Sequence, residues 1–109
     1  KIISRKALVE FWTEHPDAKK PLDRWYKAVQ QACWNAPADV KETFRSTDFV
    51  KVGDRLAVIF NIKGNKYRVI AAIHFNLKKV YIPAALTHRE YSTAKWRARS
   101  RADALKHLH

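Results

Sequence analysis

One cysteine, Cys33, and two glycines in 109 residues remove several classes of protein at once. A single thiol cannot close an internal disulfide, so packing must hold the fold, Cys33 is expected on a packed surface, and a reducing, cytosolic compartment suits the chain. Gly53 and Gly64 stand apart, with no Gly-rich phosphate loop and no G-x-S-x-G turn, so nucleotide hydrolysis and acyl transfer lack their scaffolds. No stretch approaches about eighteen consecutive apolar residues, and the start "KIISRKALVEFW" has no cleavable apolar region, so neither a membrane span nor a secretory signal is expected. The histidines at 15, 74, 88, 107 and 109 show no metal-ligand spacing inside the domain, since the one H-x-H lies at the chain end. No metal and no other cofactor is expected. Negative charge is scarce as well: 10 Asp and Glu face 22 Lys and Arg, for a net charge of +12. Such an imbalance points to a polyanionic partner, and cations interleaved with aromatics favour nucleic acid over a membrane surface.

With 47% apolar residues the chain is long enough for one core, read as a single domain over residues 1–96 with a basic tail over 97–109, disordered or foreign to the domain. Ile3, Ala7, Leu8, Phe11 and Trp12 fall at helical spacing after Ser4, a candidate N-cap, until Pro16 ends the pattern. That spacing predicts a helix over about 5–15. Leu22, Trp25, Tyr26, Val29 and Cys33 form a second stripe, with Pro21 in the first turn, and "APADVKETF" adds a short third helix. Trp12, Trp25 and Trp34 read as packing residues.

Beyond Leu56 the period falls to two. Leu56, Val58, Phe60 and Ile62 alternate with Ala57, Ile59 and Asn61, then "KGNK" turns the chain at Gly64 and Asn65 into a strand from Tyr67 to about Phe75. "NLKK" turns it again into "VYIPAAL". The expected architecture is α+β: N-terminal helices packed on one face of a small antiparallel sheet of three strands. Tyr67, Val69, Ala71 and Ile73 then share the helix face, and Arg68, Ile70, Ala72 and His74 share the open one, which carries Arg68 out of the core.

Just past the last strand, "THREY" gathers His88, Arg89 and Tyr91 near Arg68. Histidine exchanges protons near neutrality, tyrosine hydrogen-bonds or stacks on a base, and a guanidinium neutralises charge building on phosphorus. The set suits cleavage of RNA by its own 2′-hydroxyl, a reaction that requires no metal; a surface ion pair for Arg68 and an ordinary surface histidine are the plain alternatives. In "STAKWRARSRADALKHLH", Lys95 can follow a phosphate backbone, and Trp96 is the tryptophan outside the periodic elements, free to stack on a base.

The segments "IISRKALVEFWTEHPDA", "PLDRWYKAV", "VIFNIKGNKYRVIAAI" and "VYI…THREY" together resemble the HigB family of toxins, within the wider RelE-like superfamily of type II toxin–antitoxin systems. The resemblance spans about residues 2–96. It implies a RelE-like fold and a cytoplasmic bacterial mRNA interferase, acting on messenger RNA at the translating ribosome. It also implies neutralisation by a helix-turn-helix antitoxin of the HigA type, with operator DNA bound mainly through that antitoxin. Carried onto this chain, Arg68 faces the scissile phosphate, His88 lies in the proton-transfer region with Tyr91 following, and Lys63, Asn65 and Lys66 contact RNA, with Arg89 beside them. The family pattern departs at Pro83, where an arginine is usual, at Ala85 in place of a valine, and at Ser92 in place of an acid. Proline has no N–H for a ladder, so the strand is expected to distort there. The alternative implied is a weakened or inactive homologue that binds RNA or antitoxin without cutting.

Overall fold

Apolar side chains repeat at helical intervals up to residue 31 and at two-residue intervals beyond residue 48, and the backbone follows both periods. The computed structural model describes residues 5–93; Ser4 as a cap, Lys95, Trp96 and the tail lie outside them. Helix α1 spans Lys6–Glu14, a single 3-10 turn covers Pro16–Ala18, α2 spans Lys19–Gln31 and α3 spans Pro37–Thr43. Pro16 breaks the first helix and opens the 3-10 turn, as its fixed φ and missing N–H require. At α3, Asp39 Oδ2 accepts the Asn35 and Ala36 amides at 2.8 and 3.1 Å, satisfying donors that the helix start leaves over.

The sheet has four strands, one more than the alternation announced: β1 Asp48–Val52, β2 Arg55–Ile62, β3 Tyr67–His74 and β4 Lys79–Thr87, antiparallel in sequence order. A short helix α4, His88–Ser92, closes the described chain. Strand β1, "DFVKV", was hidden because it is a short edge strand with two charged residues in five. On one face Val58, Phe60, Ile62, Tyr67, Val69, Ala71 and Val80 pack against Leu8, Phe11, Leu22, Trp25 and Val29 of the helices. Phe60 is 1% exposed and is surrounded by the rings of Trp25, Trp34 and Phe44 at 5.1, 6.2 and 5.4 Å. Truncating such a ring costs about 3–5 kcal/mol. Trp12 packs at the margin of the same core. Val52, Ala57, Ile59, Ile70 and Leu86 form a smaller cluster on the other face.

Cys33 corrects the sequence expectation: α2 ends at Gln31, the backbone at Ala32 is extended, and the thiol is exposed. The turn at "KGNK" also differs, since Lys63 and Gly64 take φ of 53° and 66°, while Asn65 does not enter the left-handed region. The expected distortion at Pro83 is present and local. Ala72 pairs with Tyr81 and Ile70 with Ala84, so Ile82 and Pro83 together oppose Ala71, a β-bulge on an outer strand. The extra residue shifts the alternation by one: Val80 and Ile82 lean on the helix-side core before it, and Ala85 does so after it. Leu86 is thereby placed opposite Arg68 on the open face, and pairing continues regularly to Thr87.

Candidate functional site

Three residues predicted from sequence meet at the junction of β3 and α4. Arg68 faces the open side of the sheet as its parity requires, but it does not leave the protein: it is 8% exposed, roofed by neighbouring side chains. Its Nη1 donates to the carbonyls of Asn65 at 2.8 Å and Tyr67 at 3.2 Å, and Nη2 lies 3.2 Å from His88 Nδ1. The guanidinium carbon sits 5.4 Å from the centre of the Tyr91 ring, a cation–π arrangement. No carboxylate among the described residues forms an ion pair with Arg68. A buried cation held only by neutral acceptors is poised for an anion, because burial raises the strength of any charge that completes it.

A guanidinium only donates, so this contact is a hydrogen bond in the tautomer whose Nδ1 carries no proton and accepts. His88 itself is exposed, and Tyr91 is half-buried. Both depend on α4, a helix of five residues that could not stand by propensity alone. Thr87 Oγ1 accepts the Glu90 amide at 3.1 Å, and Glu90 Oε1 accepts the Thr87 amide at 2.9 Å, a reciprocal cap. The T-x-x-E spacing within "THREY" is a sequence signal for that cap, and it assigns Thr87 and Glu90 to scaffolding. The His88 amide then donates to the Lys66 carbonyl at 3.0 Å, stitching α4 to the β2–β3 hairpin. Arg89 is exposed on α4.

The hairpin lysines are placed differently from their expected position beside Arg68. Lys63 and Lys66 both donate to Asp17 Oδ2, at 2.9 and 2.5 Å, and the Tyr67 hydroxyl donates to Oδ1 at 2.5 Å. Tyr67 belongs to the helix-side core, so these ammonium groups gather on the helix side of the hairpin while Arg68 points to the open face. The three donors hold the Asp17 carboxyl well below the usual carboxylate range, Lys66 contributing most. Their own hydrogen bonds to Asp17 raise Lys66 and Tyr67 above their ordinary values. Asp17 was missed in the sequence, where "EHPDA" reads only as the end of a helix; the signal available was an acid in the break between two helices of a strongly basic chain. Asn65 is exposed and serves the site through its carbonyl.

At the opposite end of β3 a groove of about 620 Å³ opens on the same sheet face, floored by Val52, Ala57, Ile70 and Ala72 and rimmed by Arg55 and His74. Among the described residues no group of three or more His, Cys, Asp or Glu side chains could hold a metal ion, and no helix is long and apolar enough to cross a membrane.

Helices on one face of an antiparallel meander, with a buried arginine, a histidine and a tyrosine converging where the last strand meets a terminal helix, define a small α+β protein of RelE-like fold. The family described as "HigB_toxin, RelE-like toxic component of a toxin-antitoxin system" matches residues 18–94, and the chain belongs to it. It is 32% identical over 90 residues to the "mRNA interferase toxin HigB" of Escherichia coli (strain K12), covering 83% of this chain and 86% of that protein. The same figures hold for the "mRNA interferase HigB" of Shigella flexneri. The protein of that name from Escherichia coli O6:H1 is 27% identical over the same share of each chain.

Proposed function

We propose that this toxin is a metal-independent endoribonuclease that cuts messenger RNA in the bacterial cytoplasm, at the translating ribosome. The buried Arg68 guanidinium, flanked by His88 and Tyr91 and carrying no carboxylate partner among the described residues, supports this reading most directly. Three of the five guanidinium N–H donors are engaged by the protein, which leaves two for the oxygens of a scissile phosphate. When a phosphate oxygen takes over the Nη2 hydrogen now directed at the ring, His88 Nδ1 is released as a base for the 2′-hydroxyl proton. The 2′ oxygen then bonds to phosphorus, the bond to the 5′ oxygen breaks, and the leaving oxygen takes a proton from the imidazolium or from water. The products are a 2′,3′-cyclic phosphate and a free 5′-hydroxyl. Tyr91 orients Arg68 through its ring face, and Asn65, Arg89, Lys95 and Trp96 are assigned to the RNA path. Lys63 and Lys66 join it on the helix side of the hairpin.

The relatives named mRNA interferase support the substrate class. A helix-turn-helix antitoxin of the HigA type is proposed as the neutralising partner, with operator DNA reached mainly through it. The regular pairing of β4 from Ala84 to Thr87 favours an active enzyme over a weakened one, because the bulge at Pro83 ends before the site begins. Induction of the chain in bacteria without antitoxin, with messenger 5′ ends mapped, tests the reading. New ends inside open reading frames should appear and should fall by about a hundredfold or more in Arg68→Ala and His88→Ala. Equal toxicity in both variants would sink the assignment. Normal growth and no new ends from folded wild-type protein would leave RNA or antitoxin binding as the function.

A further inference from the structure

Three consecutive carbonyls of the β2–β3 hairpin serve the site. Those of Asn65 and Tyr67 hold Arg68 Nη1, and that of Lys66, between them, holds the His88 amide. The orientation of the hairpin therefore sets the Arg68 to His88 distance. The hairpin is not self-sufficient: Lys63 lies at φ 53°, a left-handed conformation that costs a side-chain-bearing residue about 1–2 kcal/mol and persists only where other contacts enforce it. The turn has its own hydrogen bond, from the Lys66 amide to the Lys63 carbonyl at 3.2 Å, and three of the hairpin's side chains converge on one residue of the helical layer. Asp17 receives Lys63, Lys66 and Tyr67 at once, from either side of the turn and from the first residue of β3.

From this chain of contacts we propose that Asp17 is a positioning residue: its carboxylate clamps the hairpin so that the Asn65, Lys66 and Tyr67 carbonyls hold Arg68 and His88 in register for reaction. It touches neither Arg68 nor His88, and it acts on the helix side of the sheet while the chemistry is on the open side. The break made by Pro16 and the 3-10 turn places Asp17 where it meets the hairpin. This inference rests on the ribonuclease reading for its kinetic arm and stands apart from it in its structural arm.

The test is Asp17→Asn, with Tyr67→Phe as a milder variant that removes one hydrogen bond and leaves the charge, each checked for folding by thermal melting. In the free protein, NMR should show the Arg68 Nε–H and His88 ring signals shifted in Asp17→Asn and the His88 amide exchanging about tenfold faster or more, with smaller changes of the same sign in Tyr67→Phe. With RNA substrate, kcat should fall by about tenfold or more while KM stays level or drops, because Lys63 and Lys66 are released rather than lost. Unmoved Arg68 and His88 signals in a folded Asp17→Asn protein overturn the proposal, even if the melting temperature falls. Shifted signals with unchanged kcat overturn it too. If the wild-type protein cuts no RNA, the ribonuclease reading fails by itself, and the NMR arm still decides whether Asp17 holds the pair.

Discussion

The two ends of the central strand β3 are built alike and equipped differently. At each, a lysine in the turn adopts a left-handed backbone, Lys63 at φ 53° before β3 and Lys78 at φ 55° after it. Each reaches back to the helical layer: Lys63, with Lys66, to Asp17, and Lys78 to the Trp34 carbonyl at 3.2 Å and to the Asn35 side chain. The end whose lysines share a carboxylate carries Arg68 and His88 on its outer side, whereas the end tied to the Trp34 carbonyl and the Asn35 side chain borders a groove floored by apolar side chains and rimmed by polar ones. Tethering a turn to the helices is thus a general device in this fold. The reactive groups depend on which carbonyls and which charge the turn presents.

The largest contrast should appear in cleavage. Arg68→Ala is expected to lower kcat/KM by about a hundredfold or more, while Lys78→Ala, at the far end, leaves it within about twofold; a single-turnover assay on RNA compares them directly. A large loss in Lys78→Ala would show that the two ends are one functional unit.

Acid should separate the ends next. The Asp17 carboxyl titrates from 3.8 in the unfolded chain to a lower value when folded, so its contribution to stability is fully present above pH about 4 and is lost as the pH falls below that. Lys63, Lys66 and Tyr67 face it, with His15 close by through its ring contact to Tyr67. Amide exchange followed below pH 4 should loosen at Lys66 and His88 before it loosens at Ala72. Simultaneous loss at both ends would mean that Asp17 anchors nothing locally.

The smallest effects concern the turns themselves. Lys63→Gly and Lys78→Gly each relieve about 1–2 kcal/mol of backbone strain and each remove a half-exposed or surface contact worth less than about 1 kcal/mol. Urea denaturation should therefore place both variants within about 1–2 kcal/mol of the parent. A Lys63→Gly protein of unchanged stability but reduced kcat would tie the strained turn to chemistry, and the same outcome at residue 78 would not be expected.

Much of this arrangement was written in the sequence. Helical spacing located α1, α2 and α3, alternation located β2 and β3, the "NLKK" turn pointed to β4, and parity placed Arg68 on the face opposite Tyr67 because side chains alternate along a strand free of bulges. The proximity of "THREY" to the end of β4 was enough to suggest His88 and Tyr91 beside Arg68. Local signals failed where partners were distant. Cys33 fits the stripe of α2, but the helix ends two residues earlier, and β1 is legible only as the neighbour of β2. The burial of Arg68 and the lysines turned toward Asp17 arise from contacts between segments far apart in the chain, whereas the bulge at Pro83 was announced by the proline itself. Periodicity and charge are properties of neighbouring residues, so the sequence by itself determined the layers, the strand faces and the excess of cations. Which cation is buried, and which is already answered by a carboxylate some fifty residues away, was decided only when the hairpin packed against the break between the first two helices.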